Sequence, residues 1–143
     1  MARFLVVDDD SLTVHGLTRL LTEDGHEVVP FMAGAEAVEA IARESFDAVL
    51  TDLEMPHIDG HAVVQATRTH LPTACLVVIS SRAEDHAEAL ARAGACIIAD
   101  KPMDYEGVTN SVHQCRARGG PGVSGRCHMR APHGTAPTQL RRK

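Results

Sequence analysis

No apolar run in the 143-residue sequence approaches the ~18 residues that a membrane span needs, and no charged-then-apolar leader opens it. The expected setting is therefore cytoplasmic, with no membrane partner. Cysteine is scarce, and its four positions do not form a disulfide framework. Cys75 and Cys96 lie in the apolar runs CLVVI and CII and read as reduced core residues, whereas Cys115 and Cys127 fall near or in the C-terminal segment. A zinc site drawn from Cys115, Cys127, His128 and His133 would need paired cysteines and regular spacing, and has neither. His57 and His61 stand four apart but lack further ligands, so the nine histidines read as surface residues.

Acidic residues are missing from the last stretch of the chain. From Arg116 to Lys143 there are seven Lys/Arg and no Asp/Glu, so the formal charge of −5 divides into +7 there and −12 over residues 1 to 115. That basic segment also lacks aromatic residues to interleave with its charges, which argues against a nucleic-acid partner. With its several Gly and Pro, the segment 119–143 is expected to stay disordered beside a domain covering 1–118.

What is present alternates. Five short, β-branched-rich runs, FLVV (4–7), EVVPF (27–31), DAVL (47–50), CLVVIS (75–80) and ACIIA (95–99), read as strands buried on both faces. Between them the apolar spacing turns helical: Val14, Leu17 and Leu21; Val38, Ile41 and Ala42; a weaker segment from Gly60 to His70; Ala83, Ala87, Leu90 and Ala91; Tyr105, Val108, Val112 and Cys115. Gly25 and Gly94 sit at helix C-caps, and Pro72 follows the helix that ends near His70. Strict alternation predicts an α/β fold, a doubly wound five-stranded parallel sheet with helices on both faces. In such a sheet the crevice lies beyond the C-terminal strand ends, where the strand order reverses.

Those ends carry Asp8 and Asp9 after the first strand, Asp52 after the third, Ser80 at the fourth, and Lys101 with Pro102 after the fifth. Asp10 and Ser11 read as caps of the first helix. Three carboxylates at one crevice repel one another and call for a cation, and their oxygen donors suit magnesium. With that charge screened, one aspartate can act as a nucleophile toward phosphorus, while Lys101 and the Ser80 hydroxyl can engage phosphoryl oxygens.

VVDDD (6–10), DLEMPHIDG (52–60), IS (79–80) and KP (101–102), in that order, resemble the receiver domain of two-component response regulators of the single-domain, chemotaxis type, over roughly residues 2 to 117. The resemblance implies a flavodoxin-like strand order 2-1-3-4-5. It implies phosphorylation of Asp52 by a histidine kinase or phosphotransfer protein, magnesium held by Asp8, Asp9, Asp52 and the Glu54 carbonyl, and phosphate contacts from Ser80 and Lys101. It further implies a downstream protein partner at the face formed by helix 4, strand 5 and helix 5, and a switch rather than a turnover enzyme. Two positions depart from the family pattern: the residue three before the lysine, usually aromatic, is Ile98, and Asp100 sets a negative charge beside Lys101. Glu54 and Arg82 occupy the two rim positions that receivers use to set phosphoryl lifetime, and their opposite charges suggest an ion pair across the opening. The competing reading, a magnesium-dependent phosphohydrolase, would place its acid/base at Glu54 and lacks the threonine that usually follows.

Overall fold

The computed structural model describes residues 1–55 and 60–118 together with the backbone of 129–130. The chain runs β1 (Arg3–Val7), α1 (Ser11–Glu23), β2 (Glu27–Phe31), α2 (Gly34–Arg43), β3 (Ala48–Asp52), α3 (Gly60–His70), β4 (Cys75–Ser80), α4 (Ala83–Ala93), β5 (Ile97–Asp100), α5 (Tyr105–Ala117) and a two-residue β6 (Met129–Arg130). The sheet is parallel in the order β2-β1-β3-β4-β5-β6, so the expected five-strand order holds. The sixth strand was not foreseen: it lies inside the segment read as disordered, and pairs Met129 with Ile97 and Arg130 with Ile98. No periodic apolar run marks it, because two residues on a sheet edge need only satisfy backbone groups. The rest of 119–143 lies outside the described residues.

The central strands are buried along their whole lengths, β3 and β4 at every position, which is why they read as unbroken apolar runs. On one face α2 packs on α3 and α3 on α4. On the other, α1 covers β1 and β2 while α5 covers β4 and β5, the two helices being joined where the Tyr105 hydroxyl donates to Asp24 at 2.7 Å. The inward stripe of α5 matches its sequence pattern, with Tyr105, Val108, Val112 and Cys115 buried. In α2 the inward positions are Ala37, Ala40 and Ile41, and Ala42, expected on that face, is exposed. Alanine's small side chain gives a pattern little weight, so its phase was set by the sheet.

Helix ends follow local chemistry. Asp10 caps α1 by accepting from the Leu12 N–H at 3.1 Å, and Gly94 ends α4 with φ +112°, a left-handed conformation that favours glycine. His26 is half buried rather than superficial: it accepts from the Ala2 N–H and packs on Phe4. His57 lies outside the described residues.

Gly60 brings α3 against the end of β3. Its N–H donates to the Leu53 carbonyl at 2.9 Å, and a Cβ placed there would stand 2.5 Å from the Asp52 carbonyl oxygen and 2.6 Å from the Leu53 Cα. Both obstacles are backbone, so neither can swing aside. Gly60→Ala is expected to lower stability by about 1–3 kcal/mol through this overpacking. Denaturant unfolding checks this, with Gly25→Ala as a contrast that carries backbone strain but meets no neighbouring atom.

Candidate functional site

The strand order reverses between β1 and β3, since the chain leaves β1 for β2 and then crosses back. The acidic strand ends flank that point. A cleft of about 440 Å³ opens there, lined by Asp8, Asp9, Asp10, Asp52, Glu54 and Lys101 among others. Carboxylate oxygens of Asp8, Asp9 and Asp52 all lie within 4.8 Å of one another, so three of the expected site residues do converge. Lys101, which follows β5 and precedes a cis peptide bond to Pro102, reaches across to place Nζ 2.8 Å from Asp52 Oδ1.

Burial sets the electrostatics. Asp52 is 1% exposed and Asp8 3%, whereas Asp9 stands in solvent. Desolvation pushes the Asp8 carboxyl up to about 6, against a hydrogen bond from the Asp10 N–H that favours the charged form, with the Asp52 charge adding to the rise. Burial also raises Asp52, and the Lys101 ammonium and the Glu54 N–H offset part of that effect. Burial opposes the charge on Lys101 too, but its contact with Asp52 outweighs this and raises its pKa. On Asp52 only Oδ1 is engaged: Oδ2 is buried without a hydrogen-bond partner among the described residues.

The remaining expected residues are arranged differently. Ser80 is buried at the end of β4, and its hydroxyl donates to the Glu54 carboxylate while accepting from the Arg82 N–H at 2.9 Å. The other Glu54 oxygen accepts from the Ser81 N–H and hydroxyl, each at 3.3 Å. Burial works against the Glu54 charge, but these bonds, led by that from Ser80, hold its pKa below the usual value. The expected Glu54–Arg82 ion pair is not formed. Arg82 instead pairs with Asp85 at 3.0 Å, three residues along, because a first-turn acid of α4 is a nearer partner than one across the opening. Asp10 does more than cap α1, since it also lines the cleft. Ile98 and Asp100 are both buried.

The donor set fits a hard divalent cation: three carboxylates of differing burial, one with an unpartnered oxygen, beside space for further ligands. The chain is thus a doubly wound α/β domain whose reversal point gathers acids against one lysine. A family model for the response regulator receiver domain matches residues 4–113, and the chain belongs to that family, the receiver domains of two-component signalling. It is 31% identical to protein PilH of Pseudomonas aeruginosa over 116 residues, 79% of this chain and 96% of that protein. A response regulator receiver protein of Anaeromyxobacter is 36% identical over 104 residues, 72% of this chain but 44% of that protein, and FleR of P. aeruginosa is 33% identical over 78% of this chain but 24% of its own length. The chain thus spans less than half of two of these relatives. A receiver domain of Clostridium thermocellum superposes with a TM-score of 0.76 at 24% identity, over 82% of this chain and 96% of that one. TrrA of Thermotoga maritima, solved in complex with Mg(2+)-BeF, does so with 0.71 at 26%, over 80% and 98%.

Without metal, the Asp8 charge is a liability. A carboxyl whose folded pKa is raised contributes stability below the unfolded value, near 3.8, and loses it as pH rises through about 6. Asp8→Asn is therefore expected to stabilise the metal-free protein at pH 7, on the order of 1–3 kcal/mol. The same substitution should abolish the stabilisation that millimolar magnesium gives the parent chain. Thermal melts of both proteins with and without magnesium check the pair of outcomes.

Proposed function

We propose that the chain is a phosphorylation-controlled switch in which Asp52 is the acceptor. Its Oδ2 attacks the phosphorus of a phosphohistidine on a sensor histidine kinase or phosphotransfer protein, the P–N bond breaks, and an aspartyl phosphate forms. The observation that carries this reading is an Asp52 Oδ2 with no hydrogen-bond partner among the described residues, beside an Oδ1 already oriented by Lys101 and the Glu54 N–H. Asp8, Asp9 and Asp52, with the Glu54 carbonyl, would hold a magnesium ion, which when bound offsets the negative charge of the phosphoryl oxygens. Lys101 favours the ionised acceptor and can transfer one of its N–H bonds to a phosphoryl oxygen.

Ser80 supplies the route outward. Its hydroxyl is held by Glu54 and itself holds the N–H of Arg82, at the entry to α4. A hydroxyl drawn to the phosphoryl group gives up both bonds, so the start of α4 is released as the site fills. The surface that changes is that of α4, β5 and α5, where a downstream protein would dock. Part of the β5 edge is already paired with β6, so Met129 and Arg130 lie beside that surface. Buried Ile98 leaves this chain without the ring that receivers usually carry there, so Ser80 and α4 carry more of the coupling. A hydrolase is less well supported, because the Glu54 carboxylate that would serve as acid/base is engaged by the Ser80 hydroxyl, the Ser81 hydroxyl and the Ser81 N–H. Phosphoacceptor, not enzyme, is the reading for a cytoplasmic chain.

Intact-mass measurement after incubation with acetyl phosphate and magnesium tests this. One phosphoryl group should be added, and none in Asp52→Asn. Since Arg82 is turned to Asp85, Arg82→Ala should lose the label at the parental rate. Repeated release of phosphate, or labelling of Asp52→Asn, would contradict the reading.

A further inference from the structure

The opposite end of the sheet holds a second cluster. Cys75 opens β4, Cys96 precedes β5 and Cys115 lies in the last turns of α5, and their sulfurs all fall within 4.8 Å of one another. All three residues are at most 1% exposed, and none is in a disulfide. A buried cysteine alone is an ordinary small hydrophobe, and nothing in the spacing of these three along the chain predicts a meeting. Their convergence comes from the register of β4 on β5 and from α5 packing across both.

A guanidinium closes the group. Arg68, from α3, donates through Nη1 to the Pro72 carbonyl and through Nη2 to the Ala74 carbonyl, each at 2.7 Å, and Nη2 lies 3.9 Å from the Cys96 sulfur. Its Nε is buried with no hydrogen-bond partner among the described residues. A fixed positive charge 3.9 Å from the Cys96 sulfur is a setting in which thiolate charge is compensated.

We propose that Cys75, Cys96 and Cys115 form a three-sulfur site for a soft monovalent metal ion, Cu(I). Sulfur-only donors exclude magnesium and calcium, which take oxygen. Zinc in a structural site takes four ligands, and no fourth His, Cys, Asp or Glu joins this group among the described residues. Copper(I) bound by two thiolates and one thiol releases two protons to solvent and leaves a net charge of −1, which the Arg68 guanidinium offsets. Metal–sulfur bonds near 2.3 Å in a trigonal plane put the sulfurs about 4 Å apart, so the cluster closes on an ion with shifts below about 1 Å.

The test is an anaerobic Cu(I) titration of the full chain in a Cys127→Ser background, in competition with bicinchoninate, followed by X-ray absorption at the copper edge. One equivalent should bind with three sulfur neighbours, and Cys96→Ser should weaken binding by roughly tenfold or more. The absorption spectrum of the unmutated cluster decides the matter even if Cys96→Ser fails to fold. No copper retained against the competitor, affinity unchanged in folded Cys96→Ser, or a shell of fewer than three sulfurs would overturn the assignment. Because Asp52 plays no part in it, acetyl phosphate labelling is an independent readout.

Discussion

A carboxylate that is 1% exposed stays charged only where something compensates it, and in this chain the contact between Asp52 and Lys101 at 2.8 Å is that compensation. Desolvation of the buried Asp52 charge costs several kcal/mol, and the attraction of the partly exposed Lys101 recovers that cost only with good geometry and further hydrogen bonds. The Glu54 N–H provides one of those bonds. The pair leaves one Asp52 oxygen without a hydrogen-bond partner among the described residues and a second buried carboxylate, Asp8, only partly compensated. Reactivity toward phosphorus and demand for a cation are thus two consequences of one incompletely neutralised cluster.

The rest of the fold serves that placement. The parallel sheet aligns all its strand ends on one side, and the reversal between β1 and β3 opens the space between Asp8 and Asp52. Gly60 lets α3 approach the acceptor strand, and β5 delivers Lys101 to the site. The same alignment gathers the strand beginnings at the other end, where Cys75 and Cys96 meet Cys115. One sheet therefore presents hard oxygen donors at one end and soft sulfur donors at the other.

Much of this was legible in the sequence because the rule linking strand ends to the crevice needs only strand boundaries, and boundaries were good to a few residues. Asp8, Asp9, Asp52 and Lys101 could be placed that way, as could Asp10 as a cap. What escaped depended on side-chain direction or on packing between distant elements. Arg82 had two acids to choose from, and the local geometry of α4 favoured Asp85. Glu54 turned to the two serines beyond β4, which no spacing rule foretells. The β6 pairing has no side-chain signature, and the cysteines meet only through interstrand register.

Until a divalent cation enters, the acidic cluster stays incompletely neutralised. Carbon-13 NMR titration of the Asp8 and Asp52 side-chain carboxyls, with and without magnesium, measures this directly. In metal-free protein Asp8 should titrate near pH 6 and Asp52 above the ordinary aspartate value, and magnesium should move both downward. Ordinary aspartate titrations that magnesium leaves unchanged would contradict it.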